Sequence, residues 1–398
     1  MKKNKLKLLF MLTPVALFSL TILAVSCIPQ NVIDAKGSSS VLPFMAALRR
    51  AYQNYDKEAE INIQAGGSGL GIALIAENGT TLGNASKSPA SAVRGTSLES
   101  HWKENRIKTI TLGKDGIVLL MKLPSNLNAD DFSINKDNIN NLYTAFAGNE
   151  DVKLSNFYNK DDQQNLDLLN NINLIPFARS GGANSSGTAE AFLKDSNIKP
   201  KESLSSSVKT ILTSGDYGLK TKITAEANAE AYNRFKIEGN ENGSVIYLSA
   251  GYVLNNLEQI KNDGFTLINY FQNSKSEINN NTVSATLENI EKGTYKWVRP
   301  FNTMISLKHA AEGTKNFIDY IFFNGVFNSQ NKELVNNVFN ELGVVELSLE
   351  EKITMFKNSS NINLEGLTIE QLYNQYRQIF WNSADYEIDA ENGSFGAF

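Results

Sequence analysis

Gly37-Ser38-Ser39-Ser40-Val41-Leu42-Pro43 is a Gly/Ser-rich turn that runs straight into an apolar-periodic stretch marked by Leu42, Met45, Ala46, Leu48 and Tyr52. That spacing predicts a helix over 41–55, with Pro43 in the first turn, where its missing N–H does no harm. Two further turns are built the same way: Gly66-Gly67-Ser68-Gly69-Leu70-Gly71 and Ser185-Ser186-Gly187-Thr188-Ala189-Glu190. The first N–H groups of a helix have no partner within it, a serine or threonine adds hydroxyls, and the helix dipole is positive there. Such an end accommodates an anion. Taken singly, each turn reads as a plain helix cap. Three in one chain, one of them close to Arg179, point to a pocket that wraps a small tetrahedral oxyanion.

Working outward, the elements alternate. Glu60 to Ala65 reads as a strand, and two β-type runs flank Gly113-Lys114-Asp115-Gly116 between Lys108 and Leu123. Residues 171–179 and 244–254 are strand-like, whereas 137–147, 189–194, 315–327, 332–342 and 368–379 carry helical spacing. This predicts an α/β fold with parallel sheets, whose ligands sit at the carboxyl ends of strands. At 398 residues the chain is long enough for two lobes. No internal repeat is evident.

The amino terminus reads as a targeting segment. Lys2, Lys3, Lys5 and Lys7 precede an apolar run, Leu8 to Val25, that ends in small residues before Cys27. Cys27 is the single cysteine, so internal disulfides, cysteine-ligated metals and a thiol nucleophile are excluded from the body of the protein. With only His101 and His309, neither a histidine-based zinc site nor a Ser-His triad is indicated. No cofactor is expected. Without the four leader lysines the net charge is about −8, a poor basis for binding nucleic acid or for drawing anions from a distance. Any anion must be held by local dipoles and hydrogen bonds. Phosphate-loop, dinucleotide and nucleophile-elbow patterns are absent from the sequence, so an enzyme is not expected. Trp102, Trp297 and Trp381 read as core or interface residues.

On these residues the chain resembles the substrate-binding lipoproteins of bacterial phosphate ABC transporters. Gly37 to Phe44, Gln64 to Gly69, Leu82-Gly83-Asn84-Ala85-Ser86, Arg179 with Ser186-Gly187-Thr188, and Tyr295 to Pro300 are similar to family motifs in family order, and the end of the leader resembles a lipobox. The resemblance implies a two-lobe, type II clamshell with the ligand in the cleft between lobes. It implies a signal peptide over 1–27 with a lipid anchor on Cys27, a tether over 28–36, a first lobe of 37–116 and 250–348, a second lobe of 117–249, and a carboxyl-terminal extension over 349–398. The crossings would fall near 115–120 and 246–253, with Lys114-Asp115 structural. Inorganic phosphate would be held by Ser39, Ser40, Val41, Ser68, Gly69, Ser86, Lys87, Arg179, Ser186, Gly187 and Thr188. A permease and its ATPase would be the partners, and the protein a monomer at the outer face of the membrane. Two departures bear on the ligand. Lys87 stands where many members have an aspartate that accepts the proton of phosphate, which would favour a more charged oxyanion such as sulfate. The stretch from Arg179 to Ser186 is about three residues longer than usual, which leaves the reach of Arg179 open. A surface adhesin or interaction module that retains the fold is the reading from a different functional class.

Overall fold

The structure, a computed structural model, describes residues 32–278, 282–327, 329–348, 351, 366 and 368–382. The leader, Cys27 and most of the extension beyond 348 lie outside the described residues. Eleven strands are numbered in chain order: β1 Val32–Gly37, β2 Glu60–Ala65, β3 Leu82–Ala85, β4 Ile107–Met121, β5 Ser133–Ile134, β6 Ile175–Arg179, β7 Lys222–Thr224, β8 Ser244–Ser249, β9 Thr266–Leu267, β10 Asn269–Tyr270 and β11 Val298–Ser306. Five helices matter for the site and its support: α1 Leu42–Tyr55, α2 Ser68–Ala76, α3 Gly187–Lys194, α4 Ser329–Leu342 and α5 Ile369–Asn382. None of the described helices is long and apolar enough to cross a membrane.

The expected tether over 28–36 is corrected by β1. Ile33 and Ala35 alternate inward and are buried, and β1 pairs in parallel with both β2 and β3. Its polar residues, Asp34 and Lys36, form an ion pair at 2.7 Å on the other face. The short alternation next to the leader is a strand because one face is buried and the other is not.

The sheet order is β2-β1-β3-β11-β4-β8-β6-β7, with β9 also on β4. Strands fed by βα units are parallel (β1 with β2 and β3, β6 with β7 and β8), whereas β11 enters antiparallel between β3 and β4. The sheet is therefore mixed. What reads in sequence as two β runs around a glycine turn is one unbroken 15-residue strand, β4. Its glycines serve packing. A Cβ on Gly113 would lie 2.8–2.9 Å from Val344, Phe339 and the Val345 carbonyl, and one on Gly116 would lie 2.9 Å from Ala250 and Ile290.

Two main hydrophobic cores flank this strand, one per lobe. The first gathers Phe44, Leu48, Tyr52, Ile110, Phe301, Phe317 and Phe380. The second gathers Ile117 to Met121, Phe146, Phe177, Phe192, Tyr247, Ile260, Tyr270 and Trp297. Ala250, Val253, Ile260, Tyr270, Ile290, Tyr295 and Trp297 thus belong to the second core, which corrects the expected return near 246–253. Strand β8 stops at Ser249 and the chain turns into a helix, Ala250–Asn255, rather than continuing extended to 254. The Tyr295 hydroxyl donates to the Ile117 carbonyl, and Trp297 Nε1 donates to the Ala191 carbonyl at 2.9 Å. The return crossing follows at Val298, beside the outgoing one in β4, where Val298 faces Gly116.

The expected helix over 315–327 is α-helical at Glu312–Ile318 and continues as a π-helix over Asp319–Phe327. Gly325 lets this segment approach α4, since a Cβ there would meet Val335 at 2.6 Å. Helix α5 docks on the same lobe. Phe380 is fully buried, Trp381 Nε1 donates to Asp319 Oδ1 at 2.9 Å, and Arg377 pairs with Asp319 Oδ2 at 2.5 Å.

Candidate anion-binding site

Glycine contacts bring the first two turns together. Gly37 has φ +140°, and a Cβ there would lie 2.1 Å from the Asn84 carbonyl, so no other residue fits this crossing. The Gly37 carbonyl accepts from the N–H groups of Gly66 and Gly67 at 2.8 and 3.0 Å, which ties the first turn to the second. Gly71 and Gly83 let α2 lie directly on β1 and β3, since added Cβ atoms would meet backbone at 2.5–2.6 Å. The start of α2 is thereby fixed beside the start of α1.

Hydroxyls converge at this point. Ser38 Oγ lies 2.9 Å from Ser86 Oγ, Ser86 N–H donates to Ser68 Oγ at 3.1 Å, and the Ser68 and Ser86 hydroxyls are 3.4 Å apart. From the other lobe, α3 arrives with its amino terminus foremost. Thr188 Oγ1 lies 2.9 Å from Ser40 Oγ. A Cβ on Gly187 would stand 2.0 Å from Ser86 Oγ and 2.8 Å from Ser68 Oγ, so the helix start rests on that serine pair. Ser38, Ser40, Ser68, Ser86 and Thr188 are all buried. Three helix amino termini and five hydroxyls thus meet where the lobes touch, an arrangement rich in donors and suited to an oxyanion.

The remaining expected residues fall around this cluster. Ser39 is half-buried on the first turn. Val41 precedes α1 with its side chain buried in the first core, so only its backbone can serve a ligand. Gly69 is the second residue of α2, and the nearest neighbour of a Cβ there would be the Asn184 carbonyl at 3.8 Å. Ser186 caps α3 by accepting from Ala189 N–H at 3.0 Å. Beside its hydroxyl lies the Glu226 carboxyl, whose pKa burial raises against the pull of Arg179.

Two residues take different places from those expected. Lys87 Nζ pairs across the cleft with Glu190 Oε2 on α3 at 2.9 Å, and Glu190 Oε1 pairs with Lys194 at 2.8 Å. A lysine neutralised in this way is a bridge between lobes, and its charge no longer stands alone for a more highly charged anion. Arg179 is fully buried, with Nη1 on the Ala225 carbonyl at 2.8 Å and Nη2 on Asn228 Oδ1 at 2.6 Å. Its side chain ties the end of β6 to the segment after β7. The extra residues behind it form a helical turn of their own, Gly182–Ser185.

Sequence reasoning did not place Ser38 or Glu190 at the site, and although Arg299 lies in the motif-like stretch Tyr295 to Pro300 and Asp115 reads as structural, it did not pair them. Both members of that pair are buried; Arg299 Nε and Nη2 donate to Asp115 Oδ2 at 3.0 and 2.8 Å, and Nη1 donates to Thr188 Oγ1 at 2.9 Å. Only the β4–β11 register places Arg299 opposite Asp115, and local spacing carries no sign of it. Among the described residues no group of three or more His, Cys, Asp or Glu side chains could hold a metal.

A protein-family model described as a PBP superfamily domain matches residues 26–324. The chain belongs to the PBP superfamily. The uncharacterized lipoprotein MG412 of Mycoplasma genitalium is 37% identical over 380 residues, covering 92% of this chain and 96% of that protein. Among solved structures, a putative phosphate ABC transporter substrate-binding protein with bound phosphate from Clostridium perfringens shares 19% identity at a TM-score of 0.51, covering 80% of this chain and 100% of its own. An ABC-type phosphate transport receptor from Vibrio cholerae shares 20% at 0.50, covering 79% and 100%. A human phosphate binding apolipoprotein shares 14% at 0.57, covering 85% and 96%. At these identities the likeness is one of fold: a mixed α/β protein of two lobes, the fold of non-enzymatic solute-binding proteins.

Proposed function

We propose that this PBP-superfamily protein captures a tetrahedral oxyanion, inorganic phosphate first, in the interlobe cleft and delivers it to an ABC importer. The convergence of five hydroxyls and three helix amino termini between the lobes carries this reading. The names of the phosphate-binding proteins with this fold support it. Ser40, Ser68, Ser86, Gly187 and Thr188 are the proposed contacts, with Ser38 orienting Ser86. Lobe opening would separate Ser40 from Thr188 and Lys87 from Glu190, admit the anion, and let its oxygens replace the hydroxyl-to-hydroxyl bonds on closure. Neutralisation of Lys87 by Glu190 removes the main sequence argument for sulfate. The leader ending at Cys27 and the lipoprotein relative support a lipid anchor at the outer face of the membrane, with the protein acting as a monomer beside its permease.

Equilibrium dialysis of the mature lipoprotein against radiolabelled phosphate, with unlabelled phosphate or sulfate as competitor, tests this. The proposal predicts saturable binding displaced by phosphate well before sulfate. Displacement by sulfate first would reassign the ligand. Retention of neither anion would favour a surface-interaction protein, a reading to which the direct bonds across the closed cleft also lend themselves.

A further inference from the structure

The geometry points to Arg299, rather than Arg179, as the guanidinium that holds the oxyanion, an inference that rests on the oxyanion reading above. Arg299 Nη1 donates to Thr188 Oγ1, which is itself 2.9 Å from Ser40 Oγ. This N–H is therefore aimed at the point where the first and third turns meet. Nε and Nη2 each donate to Asp115 Oδ2 on the other side of the guanidinium. The second oxygen, Asp115 Oδ1, accepts from Ser249 Oγ at 2.9 Å and from the Gly251 N–H at 3.2 Å. A carboxylate held from both sides gives the guanidinium fork one orientation, with Nη1 as the end directed into the cluster. An arginine anchored in this way loses little further freedom when it grips a ligand.

Arg179 is built for a different task. Turning it toward the cluster would break its bonds to the partly buried Ala225 carbonyl and Asn228 Oδ1, and hydrogen bonds made by a charged group are costly to give up. Asn228 Oδ1 also accepts from Ser249 N–H at 3.3 Å, so that corner is shared with the end of β8. The helical turn Gly182–Ser185 lies in sequence between Arg179 and the start of α3. The cation moves from the strand before the third turn to the strand that returns from the second lobe. Asp115 balances the charge of Arg299, so the site selects its anion by donor placement.

The test is calorimetric titration of the mature lipoprotein, in detergent and stripped of anion, with inorganic phosphate. Native protein is compared with Arg299→Lys, with the double variant Arg299→Met/Asp115→Leu, which removes the pair without orphaning a charge, and with Arg179→Gln. Circular dichroism verifies folding of each. Loss of a charge-assisted hydrogen bond predicts phosphate affinity at least roughly tenfold weaker in both Arg299 variants, and a smaller change in Arg179→Gln. Weakening confined to Arg179→Gln would overturn the inference. Should neither Arg299 variant fold, a crystal structure of the native protein with phosphate decides. Nη1 of Arg299 within about 3 Å of a phosphate oxygen sustains the inference, and phosphate held by Arg179 instead overturns it. Absence of binding by native protein and all variants alike would overturn the oxyanion reading itself, and this inference with it.

Discussion

Gly187 shows how one residue decides what the cleft can do. The start of α3 reaches the Ser68 and Ser86 hydroxyls because no Cβ intervenes. In Gly187→Ala a methyl would stand 2.0 Å from Ser86 Oγ, which forces the lobes apart or displaces the hydroxyls. Phosphate affinity should fall at least tenfold by calorimetry, with the far-ultraviolet spectrum unchanged. Asp195, at the end of α3, gives a pH signature. Burial first, then the neighbouring Glu190, raises its carboxyl pKa to about 7, whereas an unfolded aspartate titrates near about 4. The folded protein therefore binds the proton more tightly, and this group lowers stability as pH rises from about 4 to about 7. Asp195→Asn should raise the melting temperature at pH 8, and the gain should vanish toward pH 4. Such residues were partly legible. Ser40, Ser68, Gly187 and Thr188 stood out because hydroxyl and glycine choices at helix starts are local, whereas Ser86, just after β3, was reached only through the family resemblance. Arg299 lay in a stretch similar to a family motif and Asp115 read as structural, but their pairing, and that of Glu190 with Lys87, was not legible, because the partners lie far apart in sequence.

At the scale of elements, α3 carries the second lobe's main contribution to the cluster. Its amino terminus meets the hydroxyls, Glu190 on its flank bridges to Lys87, and the Ala191 carbonyl receives Trp297 at the crossing. The Lys87–Glu190 pair is largely buried, with side chains 11% and 8% exposed. Lys87→Met leaves Glu190 paired with Lys194, but Glu190→Gln leaves Lys87 without its carboxylate. Glu190→Gln should therefore destabilise the closed protein more than Lys87→Met does, by about 1–3 kcal/mol against less than about 1, read by urea denaturation. Helix periodicity and strand alternation revealed most of these elements. The strand β1 was hidden because six residues beside a targeting leader look like linker until their buried face finds β2 and β3. Glycines disguised β4, since their role in packing resembles that of glycines in a turn.

For the whole molecule, the lobes share β4 and β11, which run side by side through the crossing where Val298 faces Gly116. The class of fold was readable because βα units and Gly/Ser turns recur in order. The boundary at 249/250 was not, because Ser-Ala-Gly-Tyr-Val-Leu supports a strand or a helix and only packing into the second core chooses. Helix α5 belongs to the first lobe. Phe380 fills its core against Phe323 at 5.4 Å between ring centroids, and Lys108 donates to the Phe380 carbonyl at 3.3 Å. Phe380→Ala should cost about 3–5 kcal/mol in chemical denaturation, an effect absent if α5 were a loose appendage. Anion capture between the lobes is the property on which the proposed function rests. The most direct test is a calorimetric titration of stripped native protein with phosphate, repeated on Gly187→Ala. One-to-one binding in the native protein, weakened at least tenfold in the variant, is the predicted result. Undetectable heat from folded, stripped native protein, or equal binding by both proteins, would contradict it.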